Sequence, residues 1–139
     1  MAFEATGAGE ALLVGRVLFA AVLGFLAVGN LGDLEETVAY AEHKGAPFPR
    51  VTVPLASLAL VAGAASVLVG AYPLVGSLAV VGFLVGVTPV MHDFWNHDGQ
   101  ERQNEQVHFL KNVGLGGGAL VFAALSTTTW PYAAGLGLA

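Results

Sequence analysis

The chain has 139 residues, of which 55% are hydrophobic and only 11% charged; a soluble domain carries about 25% charged residues. So few ionisable side chains cannot dress a surface for water, so the composition predicts one domain embedded in lipid. A net charge of −5 with only five Lys and Arg argues against nucleic acid as a partner, and the lack of Cys excludes disulfides, thiolate metal sites and dithiol redox chemistry.

Taken in chain order, the first predicted element is an apolar helix over about 10–30, interrupted by one charge, Arg16. The start MAFEATGAGE has acids and no basic stretch, and the apolar run is long. Both features point to a retained first helix rather than a cleaved leader. A polar segment follows. Within it Leu31, Leu34, Val38 and Ala41 recur at helical spacing, Asp33 and Glu36 have capping-box spacing, and Gly45, Pro47 and Pro49 supply stop signals. This predicts a short amphipathic helix over about 33–44, lying on the membrane surface.

Residues 51–91 contain no Asp, Glu, Lys or Arg. At about 1.5 Å per residue this run is twice the thickness of a bilayer core, so it holds two crossings. Gly70 and Pro73 place a turn near 71–73, which gives helices over about 52–70 and 74–92. A second polar stretch, DFWNHDGQERQNEQV, reads as a connection. The fourth span then runs from about 108 to 129, with Trp130 and Tyr132 as an aromatic anchor at the far interface. The predicted fold is all-α: a four-transmembrane-helix bundle with an interfacial helix between the first two spans.

Four crossings put the termini and the Tyr72 turn on one face and both polar segments on the other. All four His residues and eight of the ten acids fall on or near the polar-segment face. That face also carries Lys44, Arg50, Arg102 and Lys111, so the positive-inside rule places it in the cytoplasm. Small residues at four-residue spacing recur as Gly82/Gly86, Gly114/Gly118 and Ala62/Ser66/Gly70. They predict close helix packing within the bundle.

Several polar residues are candidates for function. Arg16 sits about 9 Å into its helix. It either snorkels to the interface or faces the bundle to hold an anionic group or a quinone oxygen. Asn30 and Asn112 lie at helix ends, suited to interhelical hydrogen bonds or to a ligand. His92 and Trp95 close the third span, where a neutral imidazole can bind a carbonyl or relay a proton. Asp93 with His97, and Glu105 with His108, have metal-ligand spacing, but there is only one Glu-x-x-His, where carboxylate-bridged bundles use two. A solvated acidic surface is the better reading of these four. No nucleophile motif, phosphate loop or dinucleotide fingerprint is present, and no haem-ligand, flavin or iron–sulfur motif.

Arg16, Gly29 and Leu34 in the stretch LLVGRVLFAAVLGFLAVGNLGDL, the segment ending YAEHKGAPFP, the apolar hairpin, MHDFW, and Phe109, Lys111, Asn112 and Gly117 in QVHFLKNVGLGGGAL follow one another in an order that resembles the DoxX family. The resemblance implies a four-helix protein of the cell membrane, linked to a quinone-dependent oxidoreductase system whose partner subunit supplies the electrons. Ligand contacts would be Arg16, Asn30, His92, Trp95 and Asn112. The chain departs from the family after its first helix, where a Lys is common and GNLGDLEE has Asp33 instead. The runner-up reading is a non-catalytic assembly subunit that packs against lipid, another membrane protein or a second copy of itself.

Overall fold

Ala, Leu, Val and Gly without a breaker carry α1 from Ala8 to Gly32. Asp33 ends it and α2 follows at once, Leu34–His43. The proposed capping box does not form: the Asp33 side chain makes no cap hydrogen bond. The Thr37 hydroxyl instead donates to the Asp33 carbonyl at 2.9 Å. A hydrogen bond with Asp33, together with its charge, pushes the Glu36 carboxyl above its usual range. The end of α2 is as the sequence signals. Gly45 takes φ +83°, Ala46 N–H donates to Ala41 O and Gly45 N–H to Glu42 O, the paired bonds of a Schellman stop.

Pro49 opens α3, Pro49–Val69, and Pro73 opens α4, Pro73–Met91; both prolines sit where the missing N–H costs nothing. A 3₁₀ turn at Phe94–Asn96 leads to α5, Gly99–Leu125. This last helix starts well before residue 108, where apolarity alone placed it. Gln, Glu and Arg are good helix formers, so the polar stretch GQERQNEQ continues the span as a helical stalk out of the apolar layer. The computed structural model describes residues 3–137, and among them four helices are long and apolar enough to cross a membrane.

Packing runs in sequence around the bundle: α1 on α3, α3 on α4 and α4 on α5, with α2 laid across the end of α3 and α1. Ala20, Leu23, Ala27, Leu60, Ala64, Val80, Leu84 and Ala119 form the central core. A second cluster of Val67, Phe122 and Trp130 fills the terminal end, with the Phe19 and Phe122 rings 5.1 Å apart between α1 and α5. Trp130 is therefore not an interface anchor. It is 6% exposed, its indole N–H donates to Leu125 O at 2.9 Å, and only Tyr132 of the pair faces outward. The large exposed side chains are Leu, Val and Phe along all the long helices, as a lipid-facing surface requires.

The backbones of α3 and α4 approach closely at Gly63 and Gly76: a Cβ on Gly63 would lie 2.8 Å from the Gly76 carbonyl oxygen. Gly82, Gly86 and Gly114 meet no neighbouring atom in this way. The four-residue glycine spacings thus mark open surface in α4 and the first half of α5, contrary to the packing they predict. Gly118 is in contact, beneath the Phe19 ring, and in the α3 spacing Ser66 packs on Gly76 and Gly70 on Ala133.

Candidate functional site

The polar side chains gather at the two ends of the bundle, and the two groups have different characters. At the terminal end Arg16 is fully buried. It neither snorkels nor lies open to a ligand. Its Nε donates to Val67 O at 3.1 Å, Nη1 to Pro131 O at 2.9 Å, and Nη2 to Leu68 O at 2.6 Å and Tyr132 O at 3.1 Å. The guanidinium also lies 5.4 Å from the Trp130 ring centroid, within cation–π range.

A helix leaves its last four carbonyls without intrahelical donors. In α3 each of the four finds one. Ser66 O accepts from Gly70 and Ala71, Val67 O and Leu68 O accept from Arg16, and Val69 O accepts from Ala134 N–H at 2.7 Å. The cation also meets the negative end of the helix dipole. The C-terminal segment is held to the same spot by Tyr72 N–H donating to Leu136 O at 2.8 Å and by Tyr132 OH on Glu10 at 3.2 Å.

At the polar-segment end Lys44 is the hub. Its Nζ lies 2.8 Å from Asp93 Oδ1 and 3.5 Å from Glu105 Oε1, with its side chain 7% exposed. Glu105 accepts from Tyr40 OH at 3.3 Å on the same oxygen, and its other oxygen lies 2.8 Å from His92 Nδ1. His97 sits between Asp93 (3.1 Å) and Glu101 (3.3 Å). His108 stacks on His92 with ring centroids 5.1 Å apart. The four residues with metal-ligand spacing are thus brought to one end, but Lys44 Nζ occupies the middle of Asp93, His97 and Glu105, and His108 is turned to His92. Among the described residues no group of three or more His, Asp or Glu has a shape that could hold a metal ion. Trp95 stands aside from this network, with Phe94 and Phe109 in an edge-on aromatic trio.

Burial pulls the Lys44 ammonium down, but the hydrogen bond to Asp93 and the charges of Tyr40, Glu105 and Asp93 outweigh it, so its pKa is raised. A lysine raised on folding stabilises the fold fully below its unfolded value of about 10.4. That contribution disappears as pH climbs through the higher folded value. Thermal stability should therefore fall more steeply with pH above about 10.4 in the parent chain than in a Lys44→Met variant, as a pH series of melting curves would read. Parallel curves would remove Lys44 from the ledger of stability.

Asn112 makes an interhelical bond, its Nδ2 donating to Thr88 Oγ1 at 3.1 Å between α5 and α4, with both residues buried. These two line an open apolar groove of about 460 Å³ between the same helices. Asn30 faces a different space, a groove of about 280 Å³ under α2. Thr37 and Ala41 roof it, Ser57 and Val53 of α3 form one wall, and Gly82, Gly86, Val87 and Met91 of α4 form the other. The Asn30 side chain makes no hydrogen bond among the described residues. Ser57 on the facing wall is 1% exposed. Arg16, His92 and Asn112 do not share a cleft with Asn30, since Arg16 lies at the opposite end and the other two are tied to partners of their own. No residue pattern announces the groove: its α4 wall includes Gly82 and Gly86, whose spacing reads as packing in any linear inspection.

Four long apolar helices, a charged hub at one end and a buried arginine at the other define a multi-pass membrane protein. Residues 11–93, which run from α1 to just past α4, match the DoxX family model, and the chain belongs to the DoxX family. No curated protein and no solved structure matches it.

Proposed function

We propose that the protein is an accessory membrane subunit that holds a lipoquinone, or a closely similar neutral isoprenoid, in the groove beneath α2. Asn30 carries this reading: an amide without a hydrogen-bond partner at the polar end of an apolar groove. The groove's polar side chains are uncharged, namely Asn30, Thr37, Thr52 and Ser57. Amides and hydroxyls suit a carbonyl or hydroxyl head and leave a phosphate uncompensated. The bare helix edge at Gly82 and Gly86 leaves room for a flat ring or a tail entering from lipid. The electrons come from a partner, because the chain has no Cys and no cofactor motif.

The test is equilibrium binding of a decyl-benzoquinone to the purified protein in nanodiscs. Asn30→Leu should weaken it about tenfold, the effect of one hydrogen bond to a buried carbonyl, with melting temperature unchanged. Binding that is unaffected by Asn30→Leu, or absent from the parent chain, overturns the reading. A second reading, a purely structural subunit, is favoured by the saturation of Arg16 and Asn112 with partners from the same chain. It predicts no quinone binding and a stoichiometric membrane protein partner on gentle solubilisation.

A further inference from the structure

We propose that α2 is a lid over the groove and that Lys44 is its latch. The helix has one buried residue, Ala41, among its ten; its apolar grip on the bundle is small. It rests against α3 and more lightly on α1. Its tie to the far side of the bundle runs through polar atoms at its C-terminal end. Lys44 reaches Asp93 beyond α4 and Glu105 on α5, and Tyr40 reaches the same Glu105. Three separate elements are thus pinned by one ammonium group.

The position of the latch matters because of what α2 covers. Thr37 and Ala41 form the roof of the groove, and the loop behind them adds Ala46 and Pro47. The Schellman stop at Gly45 fixes the direction in which the chain leaves α2, and the single residue Asp33 separates α2 from α1. That short link is a hinge: α1 ends at Gly32, and Asp33 has φ −127° and ψ 59°, outside the helical region. In the structure Thr37 and Ala41 cover the groove, and the exposed Gly82 and Gly86 lie along its α4 wall. Release of Lys44 lets α2 swing about Asp33 and opens the groove's polar end, where Asn30 lies, to the aqueous side. The latch would then govern exchange of the head group with a soluble or peripheral partner. That last step rests on the groove being the binding site; the motion of the lid does not.

The native chain has no Cys, so one introduced thiol is a clean reporter. Ala41→Cys places it on the roof, at a residue 1% exposed. Glu42→Cys, on the exposed side of the same helix, is the reference. Each is reacted with a charged maleimide in nanodiscs without quinone. Ala41→Cys should label slowly, and adding Lys44→Met should speed it by about tenfold, the population change expected when a partly buried tie worth about 1.4 kcal/mol is lost. Lys44→Arg should restore the slow rate, and Glu42→Cys should react at one rate throughout. Equal rates for Ala41→Cys with and without Lys44→Met overturn the lid. So does a parallel gain in reactivity for Ser77→Cys, in the buried α3–α4 core, since that would mean general loosening. Loss of quinone binding with lid motion intact would instead strike only the groove assignment.

Discussion

Replacing Arg16 with Met should cost the bundle about 3–5 kcal/mol. The side chain fits the space, but Val67, Leu68, Pro131 and Tyr132 lose their donors together. A buried acceptor left unsatisfied costs about 1–3 kcal/mol, and only part of that is recovered by removing a charge from the membrane interior. Lys does not rescue it. An ammonium is a point donor with three N–H groups, and it lacks the planar fork that spans four carbonyls. Arg16→Lys and Arg16→Met should therefore both lower the melting temperature by about 6–20 °C, at about 2–4 °C per kcal/mol. Intrinsic fluorescence is a direct readout, because Trp130 lies against the guanidinium. Proteolysis would add a local signal, since the C-terminal segment loses two of its ties to the α3 end. A melting curve unchanged by Arg16→Met would show that water or lipid head groups satisfy those carbonyls instead.

The second large effect separates glycines that look alike in the sequence. Gly76→Ala puts a methyl group into Ser66, and Gly63→Ala puts one 2.8 Å from the Gly76 carbonyl. The Gly76 carbonyl is backbone and cannot move aside, and the Ser66 Cβ is fixed to its helix with its hydroxyl already held by Ala71 O and Tyr72 O, so each should destabilise by about 1–3 kcal/mol through overpacking. Gly82→Ala and Gly86→Ala meet nothing within 4 Å. They should be neutral, or stabilising by up to about 1 kcal/mol through helix propensity. Melting temperatures of the four variants in one detergent settle the order. If Gly86→Ala is as damaging as Gly76→Ala, then α4 carries a helix partner on its open face, and the groove there is filled by protein.

The four spans were legible because lipid imposes a length and a charge rule, and residues 51–91 obey both without exception. The turn between α3 and α4 was legible because glycine alone of residue types takes the φ of +70° found at Gly70 without steric cost, while Pro73 fixes its own φ and cannot continue a helix from before it. The start of α5 was not, because a polar helix standing out of a membrane has the composition of a loop. The role of Arg16 was hidden for another reason. Its acceptors are backbone carbonyls, which every residue has, so no residue type marks them. The hub at Lys44 depends on partners 49 and 61 positions away in the chain, beyond any local spacing rule. The spacing that did stand out, Asp93 with His97, does give a real contact at 3.1 Å, though it serves an ion pair network around an ammonium.

Two of the residues singled out from sequence for ligand contact, Arg16 and Asn112, are occupied with partners from their own chain, and His92 belongs to the charged hub. Asn30 lines an apolar groove and, unlike Asn112 on its own groove, has no hydrogen-bond partner among the described residues. The functional reading therefore narrows from a set of bundle-end residues to one place between α1, α2, α3 and α4, with a lid whose fastening is ionic.

A photoreactive quinone carrying an azide on its ring, illuminated with the purified protein in nanodiscs and followed by peptide mass spectrometry, asks the question most directly. The account predicts adducts concentrated on the stretch around Asn30 and on residues 82–91, and competed away by unlabelled decyl-benzoquinone. Adducts spread over the exposed faces of α1, α3 and α5 in proportion to their contact with lipid, and insensitive to the competitor, would contradict it.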